Sequence, residues 1–400
     1  MSKIIETAVN KNAKIIGLSG LITPSLDEMV KIATEMERLG LNIPLLIGGA
    51  TTSKTHTAVM IDTKYSGPTV HVNDASKAVS IASKLINPIS SQKFTTQVKK
   101  ELKKIRDDRF KKSKKTILSL EEARKRKFEA NWGRYQINPP TMTGTKVLNN
   151  CDLSKLIDYI DWSPFFHAWE MKGKYPDILS NEKYGAQAKV VFSDCHKILK
   201  DIIAKGKIFA NGVYGIFPAY AKNETVFVKN IKLNFPRQLV DKGREKNNYC
   251  LADFIAPKND YLGMFAISAG HGLESYIKEF DMYDDDYNSI MAKIITDRLV
   301  EAFSEKLHEQ VRREIWGYNT DENFTINELI REKYVGIRPA PGYPSCPDHS
   351  YKDIIWELLD VEKNTGIKLT ETRSMYPAAS LCGFYFSHKN AKYFSTTGNI

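Results

Sequence analysis

The chain has 400 residues, of which 42% are hydrophobic and 26% charged. This is the composition of a folded protein and excludes intrinsic disorder as its main state. The apolar run at 15–22 is far shorter than the roughly 20 residues that cross a bilayer, so no transmembrane helix is expected. Five scattered cysteines without a C-x-x-C pair indicate neither a disulfide framework nor a four-thiolate zinc site, and they fit a reducing cytoplasm.

The first hundred residues alternate short apolar runs with amphipathic helical patterns. The expected strands are 14–20, 43–47 and 68–72. The expected helices begin at the capping box Ser25–Glu28, near Ser53 and near Ala75. Strands that are apolar on both faces and separated by helices predict a parallel, doubly wound sheet, with its ligand edge at the carboxyl ends of the strands. Three strands are few for such a sheet, so we expect the second half of a domain.

Most of the net charge of +11 lies in one stretch that follows this sheet. Residues 99–127 carry fourteen Lys/Arg against five Asp/Glu. One interpretation is a solvated basic linker, and another is a module that binds nucleic acid through its phosphates. The stretch has only one aromatic residue before Phe128, which is Phe110, and no nucleic-acid-binding motif accompanies it, so the linker is favoured.

From Trp132 onward the chain is rich in aromatic residues and prolines. A long helix is expected at 287–316, with an apolar stripe at helical spacing. The expected strands of this part are 212–217, 225–230, 261–268 and 380–386. The mixture predicts an α+β domain.

Common catalytic and metal motifs give little guidance. Walker, G-x-G-x-x-G, H-E-x-x-H and G-x-S-x-G sequences do not occur. Cys346 and His349 could supply half of a zinc site, but no second ligand pair stands out. The acidic run Asp284–Asp286 is more simply the start of a helix.

Two segments carry stronger functional signals. Residues 336–349 place four prolines after Arg338, which predicts a stiff loop that holds this arginine in place. Residues 159–169 set Asp161 among aromatic residues. On spacing alone, a packed structural loop explains the first segment as well as a functional role does. A capped helix start explains the second segment equally well.

These segments belong to a series of blocks that resemble cobalamin-dependent methionine synthase. The blocks are IIGLSGLITPSLDEM, IPLLIGGATTS, YIDWSPFF, NYCLADFIAP, GIRPAPGYPSCPDH and GFYFSHKNAKYF. The resemblance covers the carboxyl-terminal part of that modular enzyme. It implies a flavodoxin-like cobalamin domain whose N-terminal half is missing, followed by an α+β activation domain with an antiparallel sheet and long helices. The implied boundaries are 1–96 for the partial cobalamin domain, 97–111 for a basic linker and 112–400 for the activation domain.

The resemblance also implies the binding residues. The expected cobalamin contacts are Ser19, Thr23, Gly48, Gly49 and Ala75. The family's D-x-H-x-x-G motif, whose histidine ligates cobalt, does not occur in this chain. The expected S-adenosylmethionine contacts are Asp161, Arg338, Ala340, Gly342, Tyr343, Tyr393, Phe394 and Glu301. A guanidinium suits the ligand's carboxylate, a carboxylate suits its cationic groups, and aromatic or backbone atoms suit its adenine.

The function that the resemblance implies is reactivation of methionine synthase. S-adenosylmethionine and a flavodoxin-like electron donor would restore cob(II)alamin by reductive methylation. The other expected partners are the remaining modules of the enzyme, because the homocysteine and folate modules are missing and the chain is expected to be a fragment or a split subunit. An alternative is a stand-alone S-adenosylmethionine-dependent methyltransferase, which the missing glycine-rich turn disfavours.

Overall fold

The computed structural model describes residues 2–20, 24–49, 51–73, 75–112, 116–243 and 245–396. The chain forms two compact units, residues 1–116 and 117–400. Within the described ranges, no helix is both long enough and apolar enough to cross a membrane.

The first unit contains the predicted parallel sheet of three strands. The strands are β1 (Ile16–Ser19), β2 (Leu45–Gly48) and β3 (Thr69–His71), in the order β1-β2-β3. The helices are α1 (Ser2–Asn10), α2 (Pro24–Arg38), α3 (Lys54–His56) with a π-helical continuation (Thr57–Ile61), α4 (Ala75–Ile86) and α5 (Pro88–Lys112). Ile16, Leu45 and Ile47 bury their side chains in one core with Met29 and Met36 of α2.

The whole of the predicted basic linker, 97–111, lies within α5, a 25-residue helix of the first unit. Lys99 Nζ lies 2.7 Å from Asp62 Oδ1, and Arg106 Nη1 lies 2.5 Å from Asp62 Oδ2. Because the Asp62 side chain is only 2% exposed, these two cations hold the helix against the unit rather than serving as a free charged surface. Lys100, Lys103 and Lys104 remain exposed.

The second unit is built on a six-stranded antiparallel sheet. Its strands are β4 (Gly144–Cys151), β5 (Phe209–Lys222), β6 (Thr225–Val228), β7 (Ile231–Asn234), β8 (Asp260–His271) and β11 (Ser380–Tyr385). The order is β11-β8-β5-β6-β7, and β4 also pairs with β5. A separate antiparallel pair consists of β9 (Lys368–Leu369) and β10 (Met375–Tyr376).

The helices of the unit are α6 (Leu120–Arg124), α7 (Ser163–Ala168), α8 (Gly185–Lys205), α9 (Leu273–Asp281), α10 (Asp286–Gln310), α11 (Ile326–Ile330), α12 (Tyr351–Leu359) and α13 (Val361–Thr365). Helices α10 and α12 pack on opposite faces of the sheet. Short 3₁₀ segments lie at Leu153–Tyr159, Asp177–Ser180 and Leu251–Phe254, and a π-helical turn (Val311–Ile315) continues α10.

Alternation along the central strands explains why both faces are buried. In β8, Phe265 and Ile267 pack into a core with α8 and α10, whereas Met264 and Ala266 pack into a second core with α12. Neighbouring residues of a strand point to opposite faces, so one apolar strand serves both cores. The sheet therefore supplies a rigid support on which loops and helix faces can position a site.

Candidate functional site

One wall of the candidate site is a face of α10. Asp285 caps the helix, because its Oδ1 accepts a hydrogen bond from the Asn288 N–H at 3.1 Å. Glu301, Glu305 and His308 follow at spacings of four and three residues, which places them on one side of a helix. Glu305 and His308 are buried there, while Glu301 is exposed at the rim.

The loop that follows Gly336 forms the opposite wall, attached to the edge of the sheet. Ile337 and Phe386 exchange two backbone hydrogen bonds of 3.0 Å, and the Phe384 N–H donates to Pro339 O at 3.0 Å. A Cβ on Gly383 would lie 2.9 Å from Pro339 O, so the glycine permits this close approach. These hydrogen bonds attach the loop to the sheet at two neighbouring positions.

A tight turn then presents Tyr343. Gly342 has a φ of +97°, and a Cβ there would lie 2.3 Å from the His349 ring. Its N–H donates to Cys346 O at 2.8 Å. Only glycine combines this backbone conformation with the contact to His349, so Gly342 shapes the turn that carries Tyr343.

These walls enclose a cavity of about 550 Å³, within the range of small-molecule sites. Its lining consists of Phe265, Glu301, Ser304, Glu332, Arg338, Pro339, Ala340, Tyr343, Pro344, Ser345, Leu381, Cys382, Tyr393 and Phe394. The lining is mainly apolar and aromatic, with two carboxylates and one guanidinium.

The guanidinium of Arg338 has a partner inside the protein. Its Nη2 donates to Glu305 Oε2 at 2.6 Å, and its Nη1 donates to Tyr334 Oη at 2.7 Å. The side chains of Arg338 and Glu305 are 17% and 9% exposed. The sequence assigned this guanidinium to a ligand carboxylate, whereas in the structure Glu305 occupies one end of it.

Arg338 also fixes an aromatic wall residue through its backbone. The Arg338 N–H donates to Tyr393 Oη at 3.0 Å. Burial raises the pKa of Tyr393, and the nearby Arg338 opposes this rise. Tyr393 is therefore a neutral phenol at physiological pH, held by its hydroxyl group. Next to it, Phe394 stacks on Tyr249 with ring centroids 5.7 Å apart.

The two carboxylates that line the cavity, Glu301 and Glu332, lie in a different environment from the buried Arg338–Glu305 pair. Glu301 and Glu332 form no ion pair within 4 Å among the described residues. Partial burial raises the pKa of Glu332, while the charge of Arg338 lowers it. Because Glu305 already balances Arg338, the cavity favours a cationic ligand over an anionic one.

Six of the eight residues expected to contact S-adenosylmethionine line this one cavity. They are Glu301, Arg338, Ala340, Tyr343, Tyr393 and Phe394. Asp161 and Gly342 are not part of the lining. Asp161 is half-buried before α7, where its Oδ1 accepts the Ser163 N–H at 2.9 Å. Its role in binding stays a prediction.

The sequence did not single out several residues of the site, above all Glu332, Glu305 and Tyr334. Glu305 lies four residues after Glu301 on the same helix face, and this spacing could have indicated that Glu305 also belongs to the site. The apolar stripe of α10 concealed that signal, because Glu305 lies next to its buried positions. Glu332 and Tyr334 lie in an irregular segment with no periodic pattern.

The residues expected to contact cobalamin lie in the first unit. Ser19 and Gly48 are register partners at the carboxyl ends of β1 and β2, and Ser19 is exposed. A Cβ on Gly49, whose φ is +103°, would lie 2.3 Å from Gly20 O. Ala75 begins α4, and Thr23 lies outside the described residues. Ser19, Gly48 and Gly49 thus share one edge of the sheet.

The two candidate metal clusters have structural roles. Asp285 is the cap of α10, and Cys346 is buried in the core beside α12. In the part of the chain that the structure describes, no three His, Cys, Asp or Glu side chains are grouped so as to hold a metal ion.

Comparison with known proteins agrees with this architecture. Residues 152–400 match the family described as vitamin B12 dependent methionine synthase, activation domain. Among solved structures, the crystal structure of the MetH reactivation domain bound to AdoHcy is 42% identical, with a TM-score of 0.68. The match covers 70% of this chain and 89% of that one. The chain therefore belongs to the family of B12-dependent methionine synthase activation domains.

Proposed function

We propose that the cavity beside α10 binds S-adenosylmethionine and that the chain takes part in the reactivation of methionine synthase. The observation that carries the proposal is the convergence of six expected ligand contacts on one cavity of about 550 Å³. The solved relative was crystallised with AdoHcy, which is the demethylated form of this ligand. The activation-domain family to which that relative and this chain belong is part of methionine synthase, a methyltransferase.

The chemistry of the cavity suits this ligand. S-adenosylmethionine carries a sulfonium and an ammonium against one carboxylate, so its net charge is positive. Glu301 and Glu332 provide negative charge, and the rings of Tyr343, Tyr393 and Phe394 provide flat apolar surfaces for adenine. The remaining donors of Arg338 and the backbone around Ala340 are available for the ligand's carboxylate. We retain Asp161 and Gly342 as proposed contacts on the strength of the family resemblance.

We further propose that the first unit is the second half of a flavodoxin-like cobalamin domain. The outer edge of β1 pairs with no other strand among the described residues, as expected where neighbouring strands of a larger sheet would add. The exposed Ser19 hydroxyl and the Gly48 backbone fit the polar tail of cobalamin, as do Thr23 and Ala75 by resemblance. Bound cobalamin would supply the cobalt that accepts an electron and a methyl group. The chain's residues would bind and orient the two cofactors.

We propose two classes of partner. The other modules of methionine synthase would supply the rest of the methionine-forming cycle. A flavodoxin-like donor would supply the electron, and the exposed Lys100, Lys103 and Lys104 of α5 offer an attractive surface for an acidic protein. The domain boundaries 1–96, 97–111 and 112–400 are part of the same proposal, with 97–111 as a helical connector that belongs to α5.

Calorimetric titration of the full chain with S-adenosylmethionine tests the cavity. Glu301→Gln removes a carboxylate of the lining and should weaken binding by roughly tenfold. Glu314→Gln is the matched control, since Glu314 lies exposed on the same helical run and outside the lining. An unmodified chain that shows no binding, or equal affinities for the two variants, would refute the site.

A further inference from the structure

Arg338, which lines the cavity, and the buried Arg312 each pair with their own buried carboxylate. Arg338 Nη2 lies 2.6 Å from Glu305 Oε2. Arg312 Nε lies 2.7 Å from Glu322 Oε2, and these two side chains are 0% and 1% exposed. Each pair is neutral as a whole, so neither arginine projects an uncompensated charge toward the cavity.

The histidine between these pairs is also uncharged. His308 Nδ1 lies 3.1 Å from Arg338 Nη1. Because the guanidinium can only donate, Nδ1 must accept and therefore carries no proton. Burial lowers the pKa of His308 well below its ordinary value, and the charges of Arg312 and Arg338 lower it further.

The paired arginines and the neutral His308 therefore do not cancel the negative charges of the cavity. Glu301 and Glu332 line the cavity. One turn before Glu301 on α10, Asp297 and Arg298 carry charges of opposite sign. The sign of the potential at the ligand thus depends on whether Glu305 neutralises Arg338.

We propose that Glu305 is a positioning residue that makes the cavity selective for a ligand with a positively charged sulfur. By holding the Arg338 guanidinium in a neutral pair, Glu305 leaves Glu301 and Glu332 to attract a sulfonium. This inference rests on the proposed function. S-adenosylmethionine and S-adenosylhomocysteine differ in one methyl group and in the charge on sulfur, so the ratio of their affinities measures this effect.

Loss of the Glu305 charge would change that ratio. With Glu305→Gln, Arg338 carries a net positive charge beside the cavity. A unit charge about 10 Å from a ligand, at an effective dielectric constant of about 20, changes its affinity by roughly tenfold. We expect S-adenosylmethionine to lose roughly this factor relative to S-adenosylhomocysteine. Arg338→Gln leaves Glu305 uncompensated and should shift the ratio in the opposite direction.

The experiment is calorimetric titration of the full chain with both ligands, for the unmodified protein and each variant. Tyr334→Phe is the matched control, because it removes the 2.7 Å hydrogen bond from Arg338 without changing any charge. General loosening of the wall weakens both ligands together and leaves their ratio unchanged, as expected for this control. The double variant Glu305→Gln/Arg338→Gln restores neutrality and should restore the ratio.

The outcomes separate the two proposals. Opposite shifts for the two single variants, with no shift for Tyr334→Phe, support the role of Glu305. If Glu305→Gln does not fold, the affinity ratio of Arg338→Gln and the return of this ratio in the double variant still test the role of Glu305. Unchanged ratios in all folded variants would overturn the inference while leaving S-adenosylmethionine binding intact. An unmodified chain that binds neither ligand would instead contradict the proposed function.

Discussion

The Arg312–Glu322 pair should be a major determinant of the stability of the second unit. Arg312 donates from Nε and Nη2 to both carboxylate oxygens, at 2.7 Å for the closest contacts. Its guanidinium also lies 4.2 Å from the ring centroid of Tyr334. Arg312→Met leaves Glu322 ionised and buried, with the Asn319 amide as its remaining donor. Breaking a buried pair in this way costs about 3–5 kcal/mol of unfolding free energy.

Removing both charges should be far less harmful. The double variant Arg312→Met/Glu322→Leu leaves no buried charge without a partner, so its stability should return to within about 2 kcal/mol of the original. The exposed pair Arg373–Asp353, whose side chains are 40% and 51% exposed, provides the control. Arg373→Met should cost less than about 1 kcal/mol.

Urea denaturation followed by tryptophan fluorescence measures these differences in unfolding free energy, and it reports on the second unit of the chain. All five tryptophans belong to the second unit, and Trp316 lies buried directly after the π-helical turn that carries Arg312. If Arg312→Met were no more destabilising than Arg373→Met, or if the double variant were worse than either single one, the reasoning from burial would be wrong.

Three further predictions address pH, recruitment and the ligand site. Burial lowers the pKa of His388 to about 4 from 6.5. The imidazole therefore binds a proton more readily in the unfolded chain, and the free energy of unfolding falls as pH drops from 6.5 toward 4. His388→Phe should flatten that fall in urea titrations, and an unchanged pH profile would contradict the assignment. Reversal of Lys100, Lys103 and Lys104 to Glu should slow association with a flavodoxin at low salt, where the screening length exceeds ~10 Å, as measured by stopped flow. The control, which should associate at the original rate, reverses three exposed lysines of the second unit, Lys189, Lys200 and Lys293. Asp161→Asn should weaken S-adenosylmethionine binding roughly tenfold with little change in melting temperature, because the amide oxygen can still accept the Ser163 N–H; unchanged affinity would remove Asp161 from the site.

The sequence was sufficient where periodic apolar patterns or rigid residues dictate the backbone. The parallel sheet of β1, β2 and β3 was predictable from apolar runs separated by helices, and α10 from its apolar stripe. The prolines after Arg338 predict a stiff loop, and the structure adds backbone hydrogen bonds that attach this loop to Phe384 and Phe386. In contrast, β4 has a largely exposed surface and no clear alternation. It is defined by pairing with β5, which no local pattern reveals.

The partners of charged residues were the least predictable part of the site. Arg338 and Glu305 are 33 residues apart, and the family resemblance led us to assign the arginine to a ligand alone. Likewise, Lys99 and Arg106 belong to a basic stretch but pair with Asp62, which directly follows the π-helical segment Thr57–Ile61. Such pairs form only after the fold brings distant segments together, so composition and spacing carry little information about them.

The attachment of the Arg338 loop to β11 has a consequence for how the site can be observed. Since the amides of Phe384 and Phe386 donate to Pro339 O and Ile337 O, the cavity wall is hydrogen-bonded to the outer side of the edge strand β11. Exchange of these two amide protons with deuterated solvent requires the wall to separate from the sheet. Their exchange rates therefore report the opening of the wall directly, in the absence of any ligand and at two defined backbone positions.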